Sequence, residues 1–142
     1  MKIAIASDIK GFDLKEHLKN YLTELDFDMV DLTPEKNQEF YDATVTIAKY
    51  IQEGKADKGI MIDEYGVGPS IVANKFKDII CANTFDEHSA KMTNAHNGAN
   101  LMTMGSGIVG VTLAEKIAET FAKSTYDGGR HQVRVDMLNK ML

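Results

Sequence analysis

Short apolar runs and amphipathic stretches alternate along the whole chain, and each pair reads as a strand followed by a helix. Residues 2–7 (KIAIAS) form a first apolar run, followed by Phe12, Leu14, His17, Leu18, Tyr21, Leu22 and Leu25 at helical spacing. Residues 27–32 predict a second strand, closed by Pro34 and the polar run at 35–38. A second helix is expected over 41–53, with Val45, Ala48 and Ile51 turned inward and Gly54 placed to end it. Residues 57–62 predict a third strand, after which a glycine loop at 66–70 opens a short helix to Asn74. The fourth strand is expected at 78–82, the fourth helix at 86–95 and the fifth strand at 100–104. Two more helices follow, over 108–123 and 129–141. Strands that alternate with helices imply parallel pairing through right-handed crossovers, hence an α/β sandwich forming one domain over residues 1–142.

Composition narrows the function classes more than it narrows the fold. With 44% hydrophobic and 26% charged residues, the chain reads as an ordinary water-soluble protein. A net charge of -5 without a basic stripe argues against a nucleic-acid binder, although local arginines can still hold an anionic substrate. The amino-terminal apolar run is too short for a signal peptide, and no stretch reaches membrane-spanning length. One cysteine, Cys81, excludes an internal disulfide framework and fits a reducing, cytoplasmic setting. Within its apolar run it reads as a small buried hydrophobe.

Open parallel sheets bind ligands at the carboxyl ends of their strands, which here means Asp8, residues 63–70, 83–86 and 105–107. The loop Gly66-Val67-Gly68-Pro69-Ser70 offers backbone N–H groups at a helix start, a weak anion signal by itself. His96 and Asn97 close the fourth helix, where an imidazole can exchange protons near neutral pH. His17 reads as a solvated helix residue and His88 as ambiguous. The densest polar cluster is DGGRHQVRV, in which Arg130 and Arg134 are four apart and share a helix face. They make either a phosphate clamp or a surface pair neutralised by Asp127 or Asp136. No metal-ligand spacing, nucleotide loop or other cofactor signature stands out.

The segments SDIKGF, ADKGIMIDEYGVGPSIVANK, DEHSAKMTNAHNGANLMTMGSGIVG and GGRHQVRV, in this order and at these separations, resemble the ribose/galactose isomerase family. That family includes the type-B ribose-5-phosphate isomerases and the two subunits of galactose-6-phosphate isomerase, and the resemblance covers nearly the whole chain. It implies a three-layer, Rossmann-like α/β/α sandwich around a five-stranded parallel sheet. It also implies aldose–ketose interconversion through an enediolate, without metal or cofactor. In the family a cysteine after the third strand moves the proton and the glycine loop beside it steadies the enediolate. The neighbouring subunit supplies a ring-opening histidine, an adjacent asparagine and phosphate-binding arginines. By resemblance these last are His96, Asn97, Arg130 and Arg134, and Asp8 is left to bind sugar hydroxyls.

The cysteine half of the pattern is broken. Asp63 stands at the cysteine position, Glu64 and Tyr65 replace the glycine and threonine after it, and Pro69 occupies the place of a glutamate base used by some members. Ile9 replaces a histidine and Gly107 an arginine. The resemblance therefore implies a subunit of a heteromeric enzyme interconverting galactose-6-phosphate and tagatose-6-phosphate, completed by a homologous cysteine-bearing B-type subunit. Two alternatives remain within the family: a self-sufficient isomerase with Asp63 as base, and a non-catalytic phosphosugar-binding subunit. A flavodoxin-like nucleotide binder is suggested by fold alone.

Overall fold

The computed structural model describes residues 1–142. Its elements are β1 (Lys2–Ser7), α1 (Phe12–Glu24), β2 (Asp28–Asp31), α2 (Phe40–Gln52), β3 (Lys58–Asp63), α3 (Val67–Ala73), β4 (Cys81–Asn83), α4 (Glu87–Asn97), β5 (Leu101–Gly105) and α5 (Val111–Lys123). A 3-10 turn (Gly129–His131) then runs directly into α6 (Gln132–Asn139). All strand pairs are parallel, in the order β2-β1-β3-β5-β4.

Strand alternation sorts the core into two halves. Ile3, Ile5, Ile60, Ile62, Met102 and Met104 face α1, α4 and α5, where Leu14, Leu18, Ala90, Ile117 and Phe121 meet them. Ala4, Ala6, Met61 and Leu101 face α2 and α3, packing against Ile47, Ala48, Ile51 and Ala73. Helices thus cover both faces of the sheet, giving the three-layer sandwich. Each fully buried Ile, Leu, Met or Phe contributes about 1.5–3 kcal/mol, which is why these alternating runs determine the layers.

Several expectations shift in detail. Ala48 and Ile51 are turned inward as expected, together with Ala43, Thr44 and Ile47, but Val45 is only half-buried. The fourth strand shrinks to Cys81–Asn83, because Asp78 takes a left-handed backbone conformation (φ 63°) that extended pairing does not allow. Ile108 and Val109 lie in the turn before α5, with both N–H groups donating to the Gly105 carbonyl. Gly54 ends α2 at φ 72°, in the left-handed region its position suggested. Lys15, on the inward face of α1, is fully buried. Its Nζ donates to Asp31 (2.8 Å) and to the Thr33 carbonyl (2.7 Å), pinning α1 to the chain leaving β2.

Candidate functional site

The carboxyl ends of β1, β3 and β5 are laced into one surface. Asp8 N–H donates to the Ile62 carbonyl (3.2 Å), Ser106 N–H to the Asp63 carbonyl (2.8 Å) and Gly107 N–H to the Glu64 carbonyl (2.8 Å). Gly105 has to be glycine, since a Cβ there would lie 2.5 Å from the Tyr65 backbone. Gly66 sits at φ 79°, and a Cβ would lie 2.3 Å from Asn83 Oδ1. Two carboxylates occupy this surface. Asp8 accepts from Gly11 N–H (2.9 Å), and burial raises its pKa above the usual carboxylate range, helped by Glu39 and Glu64.

Asp63 is buried at the very end of β3, and its Oδ1 accepts a short bond (2.5 Å) from Gly66 N–H. Burial raises its pKa as well, with Asp8 adding repulsion, while hydrogen bonds from Gly66 and Tyr65 N–H pull the other way. The side chain at the end of this strand thus occupies an N–H of the loop that follows it. That N–H is the one nearest the strand end, so Asp63 competes for it with any enediolate oxygen, while the N–H groups that open α3 stay unpartnered.

A second constellation gathers where α4 ends and α6 begins. The His96 and His131 rings stack with centroids 4.3 Å apart, and His96 Nε2 lies 3.8 Å from Asp127 Oδ2. Asn97 and Arg134 line one shallow cavity of about 330 Å³ with Met137, Leu138 and Met141. Burial, His96, Arg130 and Arg134 lower the pKa of His131, against an opposing pull from Asp127. Arg130 and Arg134 form no ion pair. Of the carboxylates proposed to neutralise them, Asp136 accepts from Gln132 Nε2 (2.7 Å), and Asp127 lies 3.8 Å from His96 Nε2. Ligand atoms of His96, Asp127 and His131 come within 4.8 Å of one another, a spacing open to a cation. Two unpaired guanidinium groups beside them make the place better suited to an anion.

The two constellations lie at opposite ends of the sheet. In a βα crossover the helix runs back against its strand, so α4 ends, and β5 begins, at the edge opposite Asp8 and Asp63. The same holds for the chain after α5, which carries Asp127 and Arg130. Six-residue β3 alone separates the two edges by about 17 Å. Within one chain, therefore, Asp8 does not join His96, Asn97, Arg130 and Arg134. The remaining histidines play other parts: His17 Nε2 meets Glu115 Oε1 at 2.7 Å between α1 and α5, and His88 is exposed. Cys81 is buried, which pushes its thiol pKa up to about 12. Sequence reasoning passed over His131 and the tie between Asp127 and His96. The tie joins residues 31 positions apart, with no local pattern to show it.

The sequence pattern of the ribose/galactose isomerase family matches residues 3–138. The chain is 51% identical over 142 residues, the full length of both proteins, to the galactose-6-phosphate isomerase subunit LacA of Clostridium acetobutylicum. It is 52% identical over 141 residues, 99% of each chain, to the protein of the same name from Staphylococcus epidermidis. Among solved structures, ribose-5-phosphate isomerase B of Clostridium thermocellum superposes with a TM-score of 0.94 at 34% identity, covering 99% of this chain and 97% of that one. The Mycoplasma genitalium ribose-5-phosphate isomerase B with bound ribulose-5-phosphate gives a TM-score of 0.90 at 33% identity, over 99% and 95% of the two chains.

Proposed function

The chain belongs to the ribose/galactose isomerase family, and from that premise we propose that it is one subunit of a two-chain isomerase for a phosphorylated hexose. The reaction is aldose–ketose interconversion: a proton leaves C2 of the open-chain aldose, an enediolate forms, and the proton returns at C1. Full-length relatives named galactose-6-phosphate isomerase subunits support galactose-6-phosphate as the aldose, with tagatose-6-phosphate as its ketose.

In this reading the chain supplies His96 to open the sugar ring by moving a proton between ring oxygen and hydroxyl, and Asn97 to hold the opened oxygen. Arg130 and Arg134, free of ion pairs, take the phosphate. A homologous partner bearing a cysteine after its third strand supplies the loop where carbon is deprotonated. The carrying observation is the separation of the two constellations to opposite ends of the sheet, which leaves each to be completed by another chain. Exposed Val67 and Ile71 on α3, Ile108 and Val111 before and on α5, and Val133 and Met137 on α6 provide apolar surface for that assembly. Asp8, on this chain's other edge, remains a candidate for sugar hydroxyls.

The raised pKa of Asp63 favours a second reading, in which this carboxylate is itself the base. Its bond to Gly66 N–H speaks against it, because the oxygen is turned into its own loop. Substitutions in the reconstituted two-chain enzyme separate the two. His96→Ala is expected to lower kcat by about a hundredfold and Asp63→Asn to leave it within a factor of about two. Loss of turnover in Asp63→Asn with His96→Ala unaffected would assign the chemistry to this chain's own loop.

A further inference from the structure

β3 opens with a lysine at a position whose alternation partners are Ile60 and Ile62. Lys58 is 6% exposed, running under α5 instead of reaching water. Its Nζ donates to the carbonyls of Phe121 (2.7 Å) and Ser124 (2.6 Å), and lies 3.4 Å from that of Ala122. Carbonyls of a last helical turn have no partners within the helix, so Lys58 caps the C-terminal end of α5. The Phe121 ring centroid, 5.1 Å away, adds a cation–π contact.

The contacts continue into α4. The Ser124 hydroxyl lies 2.7 Å from the Phe121 carbonyl and 3.0 Å from Asn94 Oδ1, its one proton serving either. Asn94 Nδ2 donates to the Ala99 carbonyl (2.8 Å), and Asp127 N–H to the Ala95 carbonyl (2.9 Å). The last turn of α4, which presents His96 and Asn97, is thereby tied to the chain leading to Arg130.

We propose that Lys58 is a positioning residue for the phosphosugar site, clamping the end of α5 to α4 through Ser124 and Asn94 so that His96 and Asn97 keep their placement relative to Arg130. This rests on the role assigned above to those residues. The clamp depends on charge, because an ammonium brings three protons to the carbonyls and an amine only two. Charged groups around it are few. Asp57, next in the chain, favours the ammonium, while Lys91 of α4 and Lys123 of α5, the latter paired with Glu119, are exposed near Ser124. Burial brings the pKa of Lys58 down to about 8. Since this lies below the unfolded value, the unfolded chain holds the proton more tightly, and stability rises as pH climbs above 8. An alkaline loss of positioning therefore comes without a loss of stability.

The test has two arms. In the full chain alone, NMR amide signals of Ala95 and Asn97 are followed through the interval around pH 8, in the native sequence, K58R, K58M and Ser124→Ala. The native chain is expected to show an inflection there that is absent from all three variants. In the two-chain enzyme K58M and Ser124→Ala are expected to lower kcat about tenfold, and K58R to restore it without the alkaline fall near pH 8. Flat signals in the native chain, or unchanged kcat in both K58M and Ser124→Ala, would overturn the role of Lys58. Should K58M not fold, Ser124→Ala decides alone. Failure of His96→Ala to affect turnover would instead sink the functional reading while leaving the NMR arm standing.

Discussion

Asp63 and Cys81 carry opposite lessons about single side chains. Asp63 is a charged group held in a buried place at the cost of a raised pKa. Asparagine can accept the same Gly66 N–H without carrying charge, so Asp63→Asn is expected to raise the melting temperature at pH 7. Folding raises this carboxyl's pKa, so its ionised form is the disfavoured one. The gain is therefore present above the folded pKa and vanishes in acid, where Asp63 is already neutral, as melting curves across acid pH will show. Cys81, with its thiol pushed up to about 12, is inert in the folded chain. Alkylation that inactivates the two-chain enzyme is expected to mark the partner, and mass spectrometry of the separated chains reads this directly. Arg130→Ala or Arg134→Ala is expected to raise KM for the phosphorylated sugar at least tenfold, since a charged hydrogen bond is worth roughly 1.5–3 kcal/mol. His96, Asn97 and both arginines stood out as candidates because recognisable segments carry them. Lys58 was not, although its parity with Ile60 and Ile62 was the available signal for a buried lysine.

At the scale of elements, apolar periodicity located every strand and α-helix, and two of its boundary errors fall where an apolar side chain is buried from a loop. Val109 is buried in the turn before α5, and Ile79 packs into the core ahead of β4. Each extends an apolar pattern past the point where Gly110 or Asp78 breaks the backbone. The buried Lys15 shows the converse, a polar residue doing core work because Asp31 and Thr33 receive its protons. Burial alone would raise the Asp31 carboxyl, but hydrogen bonds from Lys15, Lys19 and Thr33 N–H outweigh it and hold its pKa low. Lys15→Met is expected to cost about 1–3 kcal/mol in urea unfolding, because the Thr33 carbonyl loses its donor while Asp31 keeps Lys19. A depressed carboxylate contributes stability at neutral pH that is lost as pH falls through its folded pKa. The difference between Lys15→Met and the native chain is accordingly expected to shrink in acid.

At the scale of the molecule, parallel topology keeps the two groups of candidate site residues apart. Strand-end residues and helix-end residues of one βα unit face opposite edges of the sheet, so Asp8 and Asp63 can never meet His96, Asn97, Arg130 and Arg134 of the same chain. The strand–helix order already implied this separation, in keeping with the two-chain arrangement that the family resemblance implies. What no sequence pattern supplied is that the arginines are left without carboxylate partners, since Asp127 and Asp136 close on other residues only in the folded chain. The most direct test is isomerase activity with galactose-6-phosphate as this chain is titrated with the cysteine-bearing chain. Turnover is expected to be absent from this chain alone, to rise with added partner and to saturate at a fixed ratio of the two. Full turnover by the folded chain alone would contradict the account.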